Sequence, residues 1–105
     1  MKIAAFDIGG TSLKMGVVSE KGEMLSTDKK GIENHSGEEI LDGITAWLQK
    51  NSDCEGVAVS IPGYVDPESG YIAMGGAIRD FDRFAIGQWL RDKTSLPVSV
   101  ENDAN

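Results

Sequence analysis

Cysteine is almost absent from this sequence, since Cys54 is the only one in 105 residues. A lone cysteine excludes an internal disulfide, so the chain is not a small domain held together by disulfides. A cysteine shortly before an apolar strand is most often a small buried residue, and we expect Cys54 to lie in the core.

Basic residues are also scarce. Ten Lys and Arg stand against 17 Asp and Glu, which gives a formal net charge of −7. Binding to nucleic acid needs a basic face, so the charge argues against a nucleic-acid partner. A phosphate ligand would have to be held by Mg²⁺ and backbone N–H groups more than by lysines.

Long apolar segments are missing as well. No apolar run approaches the roughly 18 residues of a membrane span. The first eight residues include Asp7 and lack the apolar stretch of a signal peptide. The sequence therefore predicts no membrane partner and a cytoplasmic location. Its length suits one compact domain, and the 40% of hydrophobic residues argues for a folded core.

The common glycine-rich nucleotide motifs, the Walker loop and the Rossmann fingerprint, do not occur. One glycine turn nevertheless stands out. An apolar run ends in Asp7, and a second apolar run begins at Leu13. Between them lie two glycines and two hydroxyl residues, Gly9, Gly10, Thr11 and Ser12. We expect a strand, a tight turn and a returning strand.

Two interpretations of this turn remain open from the residues alone. Glycines at positive φ would expose backbone N–H groups to a phosphate, and Asp7 would hold Mg²⁺ directly or through water. Alternatively, the stretch is a simple hairpin in which Asp7 caps the turn.

Hydrophobic periodicity predicts the element order β-β-β-α-β-α-β. The first strand, Lys2 to Asp7, and the fourth, Gly56 to Ile61, are almost wholly apolar, so we expect both to be buried on both faces. Ser36 and Glu39 form a capping-box pattern at the start of the first helix. A mixed α/β sheet of this order is typical of the ribonuclease H-like fold, which is also found in actin-type ATPase lobes.

Three motifs occur in a fixed order along this frame. They are Asp7-Ile8-Gly9-Gly10-Thr11, then Ser60-Ile61-Pro62-Gly63 with Val65-Asp66, then Pro97-Val98 through Glu101-Asn102-Asp103-Ala104-Asn105. Together they resemble the amino-terminal lobe of the ROK family of sugar kinases and related repressors, closest to its glucokinase-like and β-glucoside-kinase-like members. The resemblance covers essentially the whole chain.

The resemblance implies a kinase of carbohydrate metabolism that transfers phosphate from ATP to a hexose hydroxyl. Mg²⁺ and the terminal phosphates would be held by Asp7, Gly9, Gly10, Thr11 and Ser12. The sugar would be bound at Gly63, Gly76, Asn102 and Asp103, and Asp103 would also be the general base. From the residues alone, Asn102 and Asp103 are equally well explained as polar residues that end a strand and turn the chain.

The sequence departs from the family pattern before the second helix. Many relatives carry a sugar-binding Asn there, but the segment from Gly75 to Asp82 contains none. The backbone of Gly76, or the side chain of Asp80 or Asp82, is a candidate replacement. The single histidine, His35, has no second ligand at metal-binding spacing and is predicted to be an exposed loop residue.

The resemblance also implies parts that these residues do not supply. The adenosine pocket, further sugar contacts and any structural zinc would lie in a carboxyl-terminal lobe. We therefore expect residues 1–105 to be one lobe of a two-lobe kinase, inactive alone, with a homodimeric full-length parent. The alternatives are a sugar-sensing repressor lobe, which would follow a DNA-binding domain, and a sugar- or nucleotide-binding module without turnover. The first strand directly after Met1 and the acidic charge argue against the repressor.

Overall fold

The computed structural model describes residues 1–102. Asp103, the predicted base, therefore lies outside the described residues. The strands are β1 (Lys2–Ile8), β2 (Ser12–Ser19), β3 (Met24–Gly31), β4 (Gly56–Ile61), β5 (Tyr64–Asp66), β6 (Tyr71–Met74) and β7 (Val98–Asn102). The helices are α1 (Gly37–Lys50) and α2 (Ile86–Thr94), with a 3₁₀ turn at Arg79–Phe81.

Five of the strands form one mixed sheet in the order β3-β2-β1-β4-β7. The pairs β1–β2 and β2–β3 are antiparallel, whereas β1–β4 and β4–β7 are parallel. The predicted mixed α/β sheet, with strands and helices in the order β-β-β-α-β-α-β, is confirmed. Strands β5 and β6 form a separate two-stranded antiparallel hairpin.

One face of the sheet carries the core. Phe6, Val59 and Val100 lie side by side in register on β1, β4 and β7, and all three are buried. Buried residues of α1, such as Ile44, and of α2, such as Leu90, belong to the same core cluster. The alternation of strand side chains therefore points one set of residues toward both helices.

The expectation that β1 and β4 are buried on both faces is wrong for the described residues. On the second face Asp7 is exposed, and Ala5, Ala58 and Ser60 are only partly buried. The reason is that α1 and α2 share the first face, and no element of residues 1–102 packs across the second. Small side chains give this second face a shallow, open surface.

The capping box at the start of α1 forms only in part. The Ser36 hydroxyl accepts a hydrogen bond from the Glu39 N–H at 3.3 Å, as predicted. The Glu39 carboxylate does not reach back to Ser36; it accepts from the Glu33 N–H at 2.9 Å. Glu39 therefore fixes the loop between β3 and α1, which contacts the glycine turn.

Candidate functional site

The predicted site residues within the described range gather at one end of the sheet, the carboxyl end of its parallel strands. Asp7 on β1 pairs in register with Ser60 on β4, and Ser60 pairs with Glu101 on β7. Neighbouring strands lie about 4.8 Å apart, so β1 and β7 are separated by about 10 Å. Open α/β sheets bind their ligands at this end of the strands.

The turn between β1 and β2 is closed by a hydrogen bond from the Gly9 N–H to the Ser12 carbonyl at 2.9 Å. The expectation of positive φ is wrong here, because neither Gly9 nor Gly10 has a φ between +20° and +160°. Glycine is required at position 10 because a larger side chain would not fit there. A Cβ at this position would lie 2.9 Å from His35 Nδ1 and 3.1 Å from the Ala77 Cβ.

Two consecutive carbonyls of the turn are held by the β3–α1 loop, residues 32–36. The Gly10 carbonyl lies 2.5 Å from His35 Nδ1, and the Thr11 carbonyl accepts from the Ile32 N–H at 2.9 Å. In a trans peptide the N–H points away from the preceding carbonyl, so the Thr11 N–H faces away from this loop. No hydrogen bond within residues 1–102 engages the N–H of Gly10 or Thr11. These donors are available to an anion.

Sequence reasoning missed the contact of His35 with the turn. The side chain is exposed, as predicted, yet it lies against a residue that is 25 positions away in the chain. Nothing in the local sequence pattern marks this proximity, which depends on the path of the β3–α1 loop.

Asp7 carries the carboxylate nearest to the turn. It is exposed on the open face of the sheet, opposite Lys14 of β2. Within residues 1–102 the Asp7 carboxylate makes no hydrogen bond or ion pair, and no cluster of three or more metal-ligating side chains forms. Mg²⁺ is commonly held by one or two carboxylates together with substrate phosphates and water. A single unpaired carboxylate beside backbone donors fits that arrangement.

Glycine is required at position 63, in the second motif, by both the backbone conformation and the lack of space for a side chain. Its φ is +90°, and a Cβ there would lie 2.6 Å from the Gly76 nitrogen and even closer to the Met74 carbonyl. The Asn102 side chain donates from Nδ2 to the Gly63 carbonyl. This bond joins the end of β7 to the β4–β5 connection, so three of the predicted sugar-binding residues adjoin one another.

The predicted phosphate-binding turn adjoins the segments that are predicted to bind sugar. Ala77 lies beside Gly10 of the turn, and its neighbour Gly76 packs against Pro62 and Gly63. Gly76 has a φ of +63°, which lets the chain bend sharply between these contacts. The described parts of the three sequence motifs therefore border a single wall at this end of the sheet.

The two aspartates proposed as replacements for the missing Asn have partners within the lobe. Asp80 Oδ2 accepts from the Gly37 N–H at 2.9 Å and so caps α1. Asp82 Oδ1 accepts from the Gly75 N–H at 2.8 Å. Both carboxylates fix the geometry of the loop. The backbone of Gly76 is therefore the stronger candidate to replace the sugar-binding Asn on this segment.

Asp66, in the second motif, has a lowered pKa with a structural explanation. Hydrogen bonds from the Ser69 hydroxyl and the Glu68 N–H lower the pKa of Asp66. Asp66 therefore stabilises the turn of the β5–β6 hairpin.

Elsewhere the Lys2 ammonium lies 2.6 Å from Asp53 Oδ2, which raises the pKa of Lys2 and lowers that of Asp53.

Among residues 1–102, no helix is long and apolar enough to cross a bilayer.

Comparison with known proteins gives a consistent result. The ROK family model matches residues 3–105. A β-glucoside kinase from Klebsiella pneumoniae is 58% identical over all 105 residues of the chain, which spans 35% of that relative's length.

Among solved structures, the Lmo2764 protein of Listeria monocytogenes has a TM-score of 0.98 at 55% identity, covering 100% of this chain and 36% of that one. A ROK family glucokinase from Streptomyces griseus, in complex with glucose and AMPPNP, has a TM-score of 0.84 at 33% identity and covers 100% and 34%. The predicted ribonuclease H-like fold is confirmed.

Proposed function

Because the chain belongs to the ROK family, we propose that residues 1–105 are the amino-terminal lobe of a two-lobe sugar kinase that uses ATP and Mg²⁺. The sugar is a hexose or a β-glucoside, as the name of the Klebsiella pneumoniae relative suggests. The observation that carries the proposal is the continuous wall from the Gly10 turn through Gly76 and Gly63 to Asn102. A kinase needs a phosphate-binding end and an acceptor-binding end at adjacent positions, and we assign these two roles to the two ends of this wall.

The phosphate end consists of Asp7 and the turn from Gly9 to Ser12. The exposed Asp7 carboxylate holds Mg²⁺, directly or through water, and the N–H groups of Gly10 and Thr11 donate to phosphate oxygens. When bound, Mg²⁺ neutralises negative charge on the phosphoryl group. Backbone donors suit a chain with a net charge of −7, because they attract phosphate without lysines.

The sugar end consists of Gly63, Gly76, Asn102 and Asp103. Asn102 is anchored by its bond to the Gly63 carbonyl, which holds the end of β7 in place. We assign Asp103, the next residue, as the general base. Its carboxylate accepts the proton of the sugar hydroxyl, the hydroxyl oxygen bonds to the terminal phosphorus, and ADP leaves.

The remaining functions we assign to a carboxyl-terminal lobe. It would supply the adenosine pocket, further sugar contacts, any structural zinc and the contacts of a homodimer. On this proposal the 105-residue chain alone has no turnover, and the complete enzyme works in the cytoplasm on a small-molecule sugar. The acidic charge disfavours the repressor alternative.

The test uses the full-length protein in a coupled assay for ADP release, with glucose, cellobiose, N-acetylglucosamine and N-acetylmannosamine as acceptors. We expect turnover on at least one of them. Asp103→Asn should lower kcat by about 10²–10⁴-fold, because an amide cannot take the proton. The sugar Kd, measured by calorimetry on the same variant, should change much less, because the amide still forms hydrogen bonds.

Two outcomes would contradict this proposal. A folded full-length protein that phosphorylates none of the acceptors would refute the kinase assignment. A kcat for Asp103→Asn within a few-fold of wild type would remove Asp103 from the base role and leave it as a turn residue.

A further inference from the structure

The loop between β3 and α1 is held in an unusual conformation where it meets the glycine turn. Asn34 and His35 are consecutive residues with φ of 55° and 52°, in the left-handed region. Most residues with a Cβ avoid this region, although asparagine and histidine enter it more often than the others do. Here the conformation places the His35 ring directly over Gly10.

The contact between His35 and Gly10 is a hydrogen bond whose donor and acceptor can be assigned. A carbonyl oxygen only accepts, so we assign the proton to His35 Nδ1, which then donates to the Gly10 oxygen over 2.5 Å. Both the neutral Nδ1–H tautomer and the imidazolium supply this donor. The bond therefore does not depend on the charge of the ring.

The bond fixes a donor on the far side of the peptide. Because the Gly10–Thr11 peptide is trans and planar, holding the Gly10 carbonyl sets the direction of the Thr11 N–H. The ring also limits movement of the turn, since Nδ1 and Cε1 would lie 2.9 and 3.2 Å from a Cβ on Gly10. The turn cannot rotate toward the loop without meeting the imidazole.

We infer that His35 is a positioning residue of the phosphate turn, which orients the Thr11 N–H toward a phosphate of the bound nucleotide. This inference rests on the proposed kinase function, in which the turn binds ATP. His35 contacts neither substrate nor the transferred group in this assignment. It acts through the Gly10 carbonyl.

Two variants of the full-length protein separate the hydrogen bond from the backbone conformation. His35→Gly removes the donor, and His35→Asn places an amide nitrogen where Nδ1 lies. Glycine and asparagine both tolerate positive φ, so neither should strain the loop. Melting temperatures that match the wild type within error would show that the fold is intact in both.

We expect His35→Gly to raise the KM and Kd for Mg-ATP by about three- to tenfold, the worth of one hydrogen bond. The sugar KM should stay unchanged, and His35→Asn should restore nucleotide affinity to near the wild-type value. The Kd is measured by calorimetry with Mg-ATP, so it does not depend on sugar turnover.

The possible results separate this inference from the function on which it rests. A His35→Gly variant with wild-type nucleotide Kd would overturn the role of His35 and leave the kinase assignment standing. A wild-type protein that binds Mg-ATP in a His35-dependent way but phosphorylates no sugar would overturn only the kinase assignment. Absence of nucleotide binding in the wild type would overturn both.

Discussion

Replacing Gly63 with alanine tests whether the β4–β5 connection is as tightly constrained as the structure indicates. Gly63 has a φ of +90°, and its missing Cβ faces the backbone of Met74 and Gly76, not flexible side chains. Backbone atoms cannot move aside without displacing β6. We therefore expect the substitution to cost more than a change of backbone preference alone.

The expected loss of unfolding free energy in Gly63→Ala has two parts. Forcing a residue with a Cβ into a left-handed conformation costs roughly 1–2 kcal/mol. Inserting a methyl group into a filled site costs typically about 1–3 kcal/mol more. The sum, about 2–5 kcal/mol, is a large share of the roughly 5–15 kcal/mol that stabilises a typical domain.

Two other glycines provide matched controls. Gly22 has a φ of +83° and nothing within 4 Å of the place that an added methyl group would take, so Gly22→Ala should show the conformational cost alone. Gly31 has neither positive φ nor a neighbour within 4 Å, so Gly31→Ala should be close to neutral. Urea denaturation of the 105-residue chain, followed by circular dichroism, gives the free energy of unfolding for all three.

The expected order of destabilisation is Gly63→Ala, then Gly22→Ala, then Gly31→Ala. Equal losses for Gly63→Ala and Gly22→Ala would refute the close packing of Gly63 against β6. The Asn102–Gly63 bond would then lose its role in fixing the end of β7, because its acceptor would sit on an adaptable segment.

Two further predictions concern the turn and the thiol. Gly10→Val in the full-length protein should raise the KM for Mg-ATP and keep the fold, because the valine side chain would collide with His35 and Ala77 and displace the turn. An unchanged KM with a normal kcat would mean that the turn is only a hairpin. Burial raises the pKa of the Cys54 thiol, and Asp53 raises it further, so less thiolate is present near pH 8 than for a free cysteine. Alkylation by iodoacetamide should accordingly be slower in the native chain than in urea, and equal rates would contradict the burial of Cys54.

Much of the fold follows from local sequence patterns. Alternation and runs of apolar residues predict the strands, and the stripe of apolar residues from Ile40 to Leu48 predicts α1. These features depend on neighbours in the chain, which a single sequence shows directly. The order of elements then restricts the sheet to few topologies.

The open face of the sheet could not be predicted in the same way. Apolar residues such as Ala5 and Ala58 fit a strand buried on both faces, yet within residues 1–102 nothing covers them. Composition shows that a residue tolerates burial, but it does not show which element will pack against it.

The sequence marks the residues that we propose for the site, but it does not show the contacts between them. The motifs mark Asp7, the turn, Gly63 and Asn102, because special backbone and polar residues stand out against apolar strands. The physical reason for Gly10 was mistaken, since steric contact with His35 and Ala77 requires glycine there and a positive φ does not. Such contacts join residues far apart in the chain, and a local pattern contains no information about them.

The proposed function depends above all on binding of the Mg-ATP phosphates at the carboxyl end of β1. Its most direct test is the nucleotide Kd, measured by calorimetry on the full-length protein carrying Asp7→Asn. Asp28→Asn serves as the matched control, because Asp28 is an exposed acid on the edge strand β3 whose Oδ1 accepts from the N–H of its neighbour Lys29. We expect Asp7→Asn to weaken Mg-ATP binding by at least about tenfold, the loss of one charged contact, and Asp28→Asn to bind Mg-ATP as the wild type does. Equal affinities in Asp7→Asn and the wild type, at saturating and at limiting Mg²⁺, would contradict it.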